Sequence, residues 1–320
     1  MPSNLVAEIV VALQARHTFL LSTHLGPDGD AIGSLLAIRR VLIALGKTCE
    51  AVHVEGVPPL LQWLPEADAV LTAPSRSHYE AAIIVDSGDR KRVALPEGAL
   101  ERCELVIDID HHDPTRAFGQ LNWVDPHACA TAELVITLAQ ELGVTLDAAV
   151  ATQLYAAIAS DTGGFRYSNT TPTALRMAAA LVEHGAEPEV QMKRLFHERS
   201  VPTLKLLGIA LAQAVTELDG RLVWSVLRRD DYTAVGATDA DTEGVIDLLR
   251  SARGCEVCAL FRVTERGRTK GSLRCEAPLV VDTVAALFGG GGHPLAAGFS
   301  SDRCLDEIVA ETLVALRLLL

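Results

Sequence analysis

Val106-Ile107-Asp108-Ile109-Asp110-His111-His112-Asp113 begins as the apolar run of a buried strand and ends in carboxylate and imidazole groups. An aspartate followed by two histidines at such a place is hard to explain by packing, since these side chains suit a core poorly. Neutral imidazole is the commonest nitrogen ligand of transition metals, so the stretch reads as a metal-binding strand end, with a solvated loop as the plain alternative. Three further stretches have the same form: Thr23-His24-Leu25-Gly26-Pro27-Asp28-Gly29-Asp30, Ile83-Ile84-Val85-Asp86, and Ser160-Asp161-Thr162-Gly163-Gly164. Together they can hold two metal ions. Two close divalent ions clamp both the attacking and the leaving oxygen of a phosphate ester, so the set points to a metal-dependent phosphoesterase.

Taken singly, three of these signals are ambiguous. Asp30 reads equally as a helix N-cap, Asp86 as a turn former, and Asp161 as a helix terminus. His24 and Asp28 shift the first stretch toward ligation, with Gly26 and Gly29 permitting tight turns. Mixed Asp and His ligation suits Mn²⁺, Fe²⁺ or Co²⁺ better than Ca²⁺, whereas a carboxylate-only set favours Mg²⁺.

Outward from these stretches, β-rich runs at 19–23, 48–54, 81–85 and 105–109 alternate with segments of helical or loop character. Residues 30–45 have helical spacing, with Gly46 as a stop. The alternation predicts an α/β fold, a parallel sheet with helices on both faces, and ligand groups at the carboxyl ends of its strands. Helices are expected over 131–142, 147–159 and 172–184, and a helical connection over 187–218. A smaller α/β unit follows, with strands at 221–227, 256–263 and 270–275 and helices at 282–288 and 304–320. The expected division is a first domain over 1–187, a helical linker over 188–218 and a second domain over 219–320.

Two domains suit 320 residues. Apolar content of 49% is ordinary for a soluble protein. No apolar run reaches the length of a membrane span, and the N-terminus lacks the form of a signal peptide. Seven irregularly spaced cysteines suggest reduced thiols and a cytoplasmic location. A net charge of −13 argues against duplex DNA as partner, though a small anionic substrate needs only a local positive pocket. Cys255 and Cys258 lie three apart in a segment that reads as a strand, which would turn them to opposite faces as buried thiols. Phe165 and Tyr167 read equally as base-stacking groups or as alternate residues of a strand. His127 reads as a capping or surface residue.

These motifs resemble the DHH phosphoesterase superfamily, named for Asp110-His111-His112, and the resemblance covers nearly the whole chain. It is carried by 24–34, by Asp86 with Ser87, and by Ser160-Asp161-Thr162-Gly163-Gly164-Phe165-Arg166-Tyr167. It implies that His24 and Asp28 bind one metal, that Asp30, His111 and Asp161 bind another, and that Asp86 bridges them. His112 would face the substrate phosphate and Asp110 would support the histidines. Two divalent ions are implied, Mn²⁺ first, with Mg²⁺ and Co²⁺ as alternatives.

Phe288-Gly289-Gly290-Gly291-Gly292-His293, taken alone, reads as an anion-binding glycine run or a flexible hairpin. With Gly271-Ser272-Leu273-Arg274 it resembles the DHH-associated C-terminal domain. The resemblance implies that Ser272, Arg274, Gly290, Gly291, Gly292 and His293 grip the substrate, with Arg166 assisting from the first domain. Leu25-Gly26 and Cys275 depart from the usual pattern without removing a proposed ligand.

Within the superfamily the chain is most similar to NrnA-type oligoribonucleases. That branch implies short single-stranded RNA, 3′-phosphoadenosine 5′-phosphate (pAp) or dinucleotides as substrates, and a homodimer. Cyclic or linear dinucleotide hydrolysis, RecJ-like exonuclease action, pyrophosphate hydrolysis and catalytically silent nucleotide sensing are the rival expectations. A single lysine after residue 205, Lys270, disfavours the pyrophosphatase.

Overall fold

The computed structural model describes residues 2–112, 114–242 and 244–320, with side chains from residue 5 onward. Asp113, the last residue of the opening stretch, lies outside the described residues. The chain divides into two compact units, Met1–Glu198 and Arg199–Leu320. The expected linker region is split between them: Pro188–Met192 and the turn Lys193–His197 belong to the first, Val201–Ala212 to the second.

The first unit runs α1 (Pro2–Gln14), β1 (Thr18–Ser22), α2 (Gly29–Ala44), β2 (Thr48–Ala51), β3 (Ala81–Val85), β4 (Val106–Asp110) and β5 (Leu121–Val124). Then come α3 (Thr131–Glu141), α4 (Ala148–Asp161), α5 (Pro172–Glu183) and α6 (Pro188–Met192). Its five strands are all parallel, in the order β2-β1-β3-β4-β5. The chain leaves β1 toward one edge and builds from β3 toward the other. The carboxyl ends of β1 and β3 therefore flank the point where strand order reverses, the usual ligand crevice of such sheets.

The α/β class is as expected, but the helical cover is unequal. Phe19, Leu21, Ile83, Val85, Ile107 and Ile109 pack on α1 to α4. The opposite side chains, Leu20, Ala82, Ile84 and Val106, lie under Tyr79, Ala99 and partly buried Val93, Leu95, Leu100 and Phe118. The segment between β3 and β4 contains Gly88, Pro96 and Gly98, which break any helical period and leave two 3₁₀ turns.

Two local features set the site. Asp28, in extended backbone (φ −101°, ψ −165°), caps α2 by accepting from the N–H groups of Asp30 and Ala31. The cap, one of the two readings of Asp30, is thus Asp28, and Asp30 turns inward from the first helical turn. Gly29 and Gly33 then let α2 press on α4: a Cβ at Gly33 would meet the Gln153 carbonyl oxygen at 2.5 Å, and one at Gly29 would meet Ser160 Cβ at 2.6 Å. This approach brings Asp161, the last residue of α4, beside Asp30.

The second unit runs α7 (Val201–Ala212), β6 (Val215–Glu217), β7 (Leu222–Leu227), α8 (Arg229–Val235), α9 (Val245–Arg250), β8 (Val257–Val263) and β9 (Thr269–Cys275). It ends with α10 (Asp282–Leu287), β10 (Gly291–His293), β11 (Ala296–Ser301) and α11 (Leu305–Arg317). The sheet order is β10-β11-β9-β8-β7-β6, with β7 and β8 parallel and the other pairs antiparallel. Val257, Ala259 and Phe261 face α10 and α11. Cys258 and Leu260 face the cluster of α7, α8 and α9.

Two sequence expectations are corrected here. Residues 162–168 form turns rather than a strand: Gly163, Gly164 and Phe165 all have positive φ, and the Tyr167 ring lies over Gly163. Cys255 precedes β8 rather than lying within it, and it shares one buried cluster with Cys258. Among the described residues no helix is long and apolar enough to cross a membrane.

Candidate metal centre

The structure gathers His24, Asp28, Asp30, Asp86, His111 and Asp161 in one place. One set of donor atoms, from His24, Asp28 and Asp86, lies within 4.8 Å of one another, and a second, from Asp30, His111 and Asp161, does likewise. Asp86 links them: its Oδ2 is 3.5 Å from His24 Nε2 and its Oδ1 is 3.5 Å from His111 Nε2. Asp161 Oδ2 is 3.6 Å from His111 Nε2, and Asp30 Oδ2 is 4.0 Å from it. These separations are long for hydrogen bonds. The shorter ones match two donors of one cation, which stand about 3–3.5 Å apart when each is about 2.1 Å from the ion.

The imidazoles are prepared for this. His24 Nδ1 donates to the Leu25 carbonyl at 3.0 Å, and His111 Nδ1 lies 3.4 Å from the Ala128 carbonyl. Each Nε2 is left as a lone pair turned toward carboxylates, the orientation that backbone acceptors impose on ligating histidines. His53, wholly buried, donates from Nε2 to the His24 carbonyl at 3.0 Å and fixes that backbone in turn.

The carboxylates are held as firmly. Asp30 Oδ2 accepts from Thr131 N at 2.6 Å, and Oδ1 accepts from Ala132 N at 3.1 Å and Ser34 Oγ at 2.9 Å. The N-terminus of α3 is thus spent on this buried anion. Thr131 Oγ1 donates to Asp86 Oδ1 at 3.0 Å, and Asp86 itself adopts φ +56°. Asn169 Nδ2 donates to the Cys129 carbonyl at 2.9 Å and the Asp161 carbonyl at 3.1 Å, tying the end of α4 to the start of α3. Thr131 and Asn169 escape sequence reasoning because their roles run through backbone groups. A threonine at a helix start is the one available hint.

Burial raises the carboxyl of Asp86 well above its ordinary range, and Asp30 and Asp28 raise it further. Asp30 is raised by burial against the pull of His111. Asp161 rises to about 7, from burial and then from Asp30. His111 is raised too, since Asp30, Asp86 and Asp161 overcome its desolvation. So many acids sharing one buried place require either protons or cations, and the donor set fits divalent cations.

Asp110 and His112 adjoin these sets: His112 Nδ1 is 3.5 Å from Asp86 Oδ1, and donor atoms of Asp86, His111 and His112 also lie within 4.8 Å of one another. Asp110 Oδ1 accepts from His111 N at 2.7 Å, His112 N at 3.1 Å and His112 Nδ1 at 2.6 Å. Its Oδ2 accepts from Gly88 N at 2.5 Å. Burial would raise Asp110, but the hydrogen bonds from His112 and Gly88 hold it below its ordinary range. His112 is raised against its own desolvation by Asp110. With Nδ1 bound to Asp110, His112 Nε2 has no hydrogen-bond partner among the described residues. Arg166 donates from Nε to the Gly163 carbonyl at 2.6 Å, and its guanidinium lies 5.9 Å from the Phe196 ring centre.

In the second unit, register aligns the remaining candidates. Ser272, Gly298 and Gly291 form one row across β9, β11 and β10, and Arg274, Ala296 and His293 form the next. Gly292 has φ +149°, and a Cβ there would meet the Ala296 carbonyl oxygen at 2.5 Å. Gly290 immediately precedes this hairpin.

Fold and centre together define a divalent-metal-dependent phosphoesterase. The DHH family N-terminal domain matches residues 18–158 and the DHHA1 domain matches 212–316. The chain is 35% identical over 318 residues to the bifunctional oligoribonuclease and PAP phosphatase NrnA of Thermus thermophilus, covering 98% of this chain and 93% of the relative. It is 28% identical to the protein of the same name from Bacillus subtilis, over 94% and 96% of the two chains. The chain belongs to the DHH family. In fold it matches an exopolyphosphatase-related protein from Bacteroides fragilis with a TM-score of 0.91 at 22% identity, over 98% and 96% of the two chains.

Proposed function

We propose that this chain hydrolyses short single-stranded oligoribonucleotides to mononucleotides and removes the 3′ phosphate of pAp to give AMP. The observation that carries this reading is the pair of donor sets joined through Asp86, in a chain similar over its full length to relatives named for both activities. His24 and Asp28 would hold one ion and Asp30, His111 and Asp161 the other, with Asp86 placed to serve both. Mn²⁺ suits this mixture of imidazole and carboxylate best. When bound, the ions supply Lewis acidity and an activated water for in-line attack on phosphorus.

The chain's own residues do the rest. Asp110 orients His112 and supports its protonated form. His112 Nε2 then donates to the phosphoryl oxygen or leaving group as negative charge develops. Thr131 and Ala132 N–H groups hold Asp30 in place. In the second unit, Ser272, Arg274, Gly290, Gly291, Gly292 and His293 hold the part of the substrate away from the scissile bond. A guanidinium is suited to that task by its planar fork. The net charge of −13 disfavours duplexes as substrates.

A substrate panel with Mn²⁺ tests the reading, using pAp, the dinucleotide pApA, cyclic di-AMP, pyrophosphate and a long oligonucleotide. Turnover of pAp and pApA is expected to exceed that of the other three and to vanish on exhaustive chelation. Preference for pyrophosphate or for the long strand, or full activity without metal, overturns it.

A further inference from the structure

The second unit pairs its surface charges with care. Arg221 meets Glu256 at 2.8 Å, Arg228 meets Asp306 at 2.6 Å, Arg229 meets Asp239 at 3.1 Å, Arg268 meets Asp302 at 2.8 Å and Arg317 meets Glu217 at 2.7 Å. Lys205, Arg250, Arg253, Arg266 and Arg274 stand outside these pairs among the described residues, and so do two cations that stand together. Arg262 on β8 and Lys270 on β9 are register partners, two cations directly opposite each other in an antiparallel ladder. Neither forms an ion pair among the described residues, although the chain as a whole carries thirteen excess negative charges. Like charges directly opposite on a sheet destabilise it.

Two further observations mark this place as unsatisfied. Among the described residues, Arg262 Nε is shut off from solvent without an acceptor, and so is the hydroxyl of wholly buried Tyr232, which burial pushes up against the pull of Arg262. Burial and then Arg262 hold the Lys270 ammonium below its ordinary range. Buried donors without partners are rare in folded proteins and each calls for an explanation.

The direction of the pair supplies one. Successive alternate residues of a strand share a face, so Lys270, Ser272 and Arg274 line one side of β9. Arg262 lies opposite Lys270 on that same side. The pair thus extends the row of Ser272 and Arg274 by one step along the strand, about 7 Å.

We infer that Arg262 and Lys270 form a second phosphate station, which holds the phosphodiester of a further nucleotide in an oligonucleotide whose neighbouring phosphate lies at Ser272 and Arg274. This rests on the oligoribonuclease reading and adds to it a determinant of substrate length. A single nucleotide such as pAp has no group to place there, whereas a strand of several nucleotides does.

The test compares wild type with the double variant Arg262→Gln/Lys270→Gln, using pAp and a five-nucleotide RNA as substrates with Mn²⁺. Arg253→Gln, which removes a cation from the turn before β8, serves as the charge control. The double variant is expected to raise KM for the five-nucleotide RNA about tenfold while changing KM for pAp less than twofold. The slope of log affinity against log salt for that RNA should fall by about 1.4, two cations at about 0.7 each on a single strand. Equal losses on both substrates, an unchanged KM for the RNA, or the same loss in the control overturn the second station. Wild type that turns over neither substrate overturns instead the functional reading beneath it.

Discussion

The carboxyl ends of the first sheet and the surface of the second unit treat charge in opposite ways. At the first, Asp30, Asp86 and Asp161 are brought together around His111, Asp30 and Asp86 almost wholly buried, and no arginine or lysine is paired with any of them among the described residues. On the second, most arginines have a carboxylate partner and keep much of their side chain in water, as Arg228 does at 57% exposure and Asp306 at 69%. Exposed pairing costs little and gains little. Buried crowding of like charge is expensive and persists only where something else balances it. The contrast, more than the number of acids, marks the first place as a site.

The most direct way to break that comparison is to remove the residue both donor sets share. Asp86→Asn keeps the volume and one oxygen but removes the charge. Activity on pApA is expected to fall by about 10³-fold or more, since every charged species in the transition state depends on that geometry. Circular dichroism should show the fold retained. A variant keeping a tenth of wild-type turnover sinks the shared-ligand arrangement.

Much of this was readable in the sequence, for a physical reason. Aspartate and histidine at the end of an apolar run are out of place, and out-of-place chemistry is visible one residue at a time. What stayed hidden were relations. β5, β10 and β11 are short or glycine-rich and carry little periodicity. α8 and α9 have seven and six residues, too few to show a helical stripe. The choice between Asp28 and Asp30 as cap depended on backbone angles. The turn at 162–168 depended on three consecutive positive φ values, of which only the two glycines gave warning.

Asp108 sharpens the comparison from within the same strand. It sits two residues before Asp110, buried to 1% exposure on the opposite face from the helices, with Oδ1 lacking any hydrogen-bond partner. Burial, and then Asp110, push its carboxyl up to about 7. It belongs to neither donor set, and the Phe118 N–H and the charge of His112 offset only part of this. A folded-state pKa above the unfolded value means a stabilising contribution that is full below about pH 4 and lost as pH rises through about 7. Asp108→Asn removes that loss. Urea unfolding in chelator should find the variant close to wild type near pH 4 and more stable near pH 8, by about 2–4 kcal/mol. A variant less stable at pH 8 would mean that the carboxylate is balanced after all.

The smallest effect tests the other side of the contrast. Arg228→Gln breaks an exposed pair with Asp306, and Arg262→Gln breaks up two adjacent like charges. Both remove one cation from the same unit, so net charge cannot distinguish them. Pairing predicts opposite signs: Tm should fall by less than about 3 °C for Arg228→Gln and rise by a similar amount for Arg262→Gln. Both shifts should shrink at 0.5 M salt, where exposed charges are screened beyond about 4 Å. If the two variants move Tm in the same direction, Arg262 is held by its surroundings as well as Arg228 is, and the argument that it waits for a phosphate loses its energetic footing.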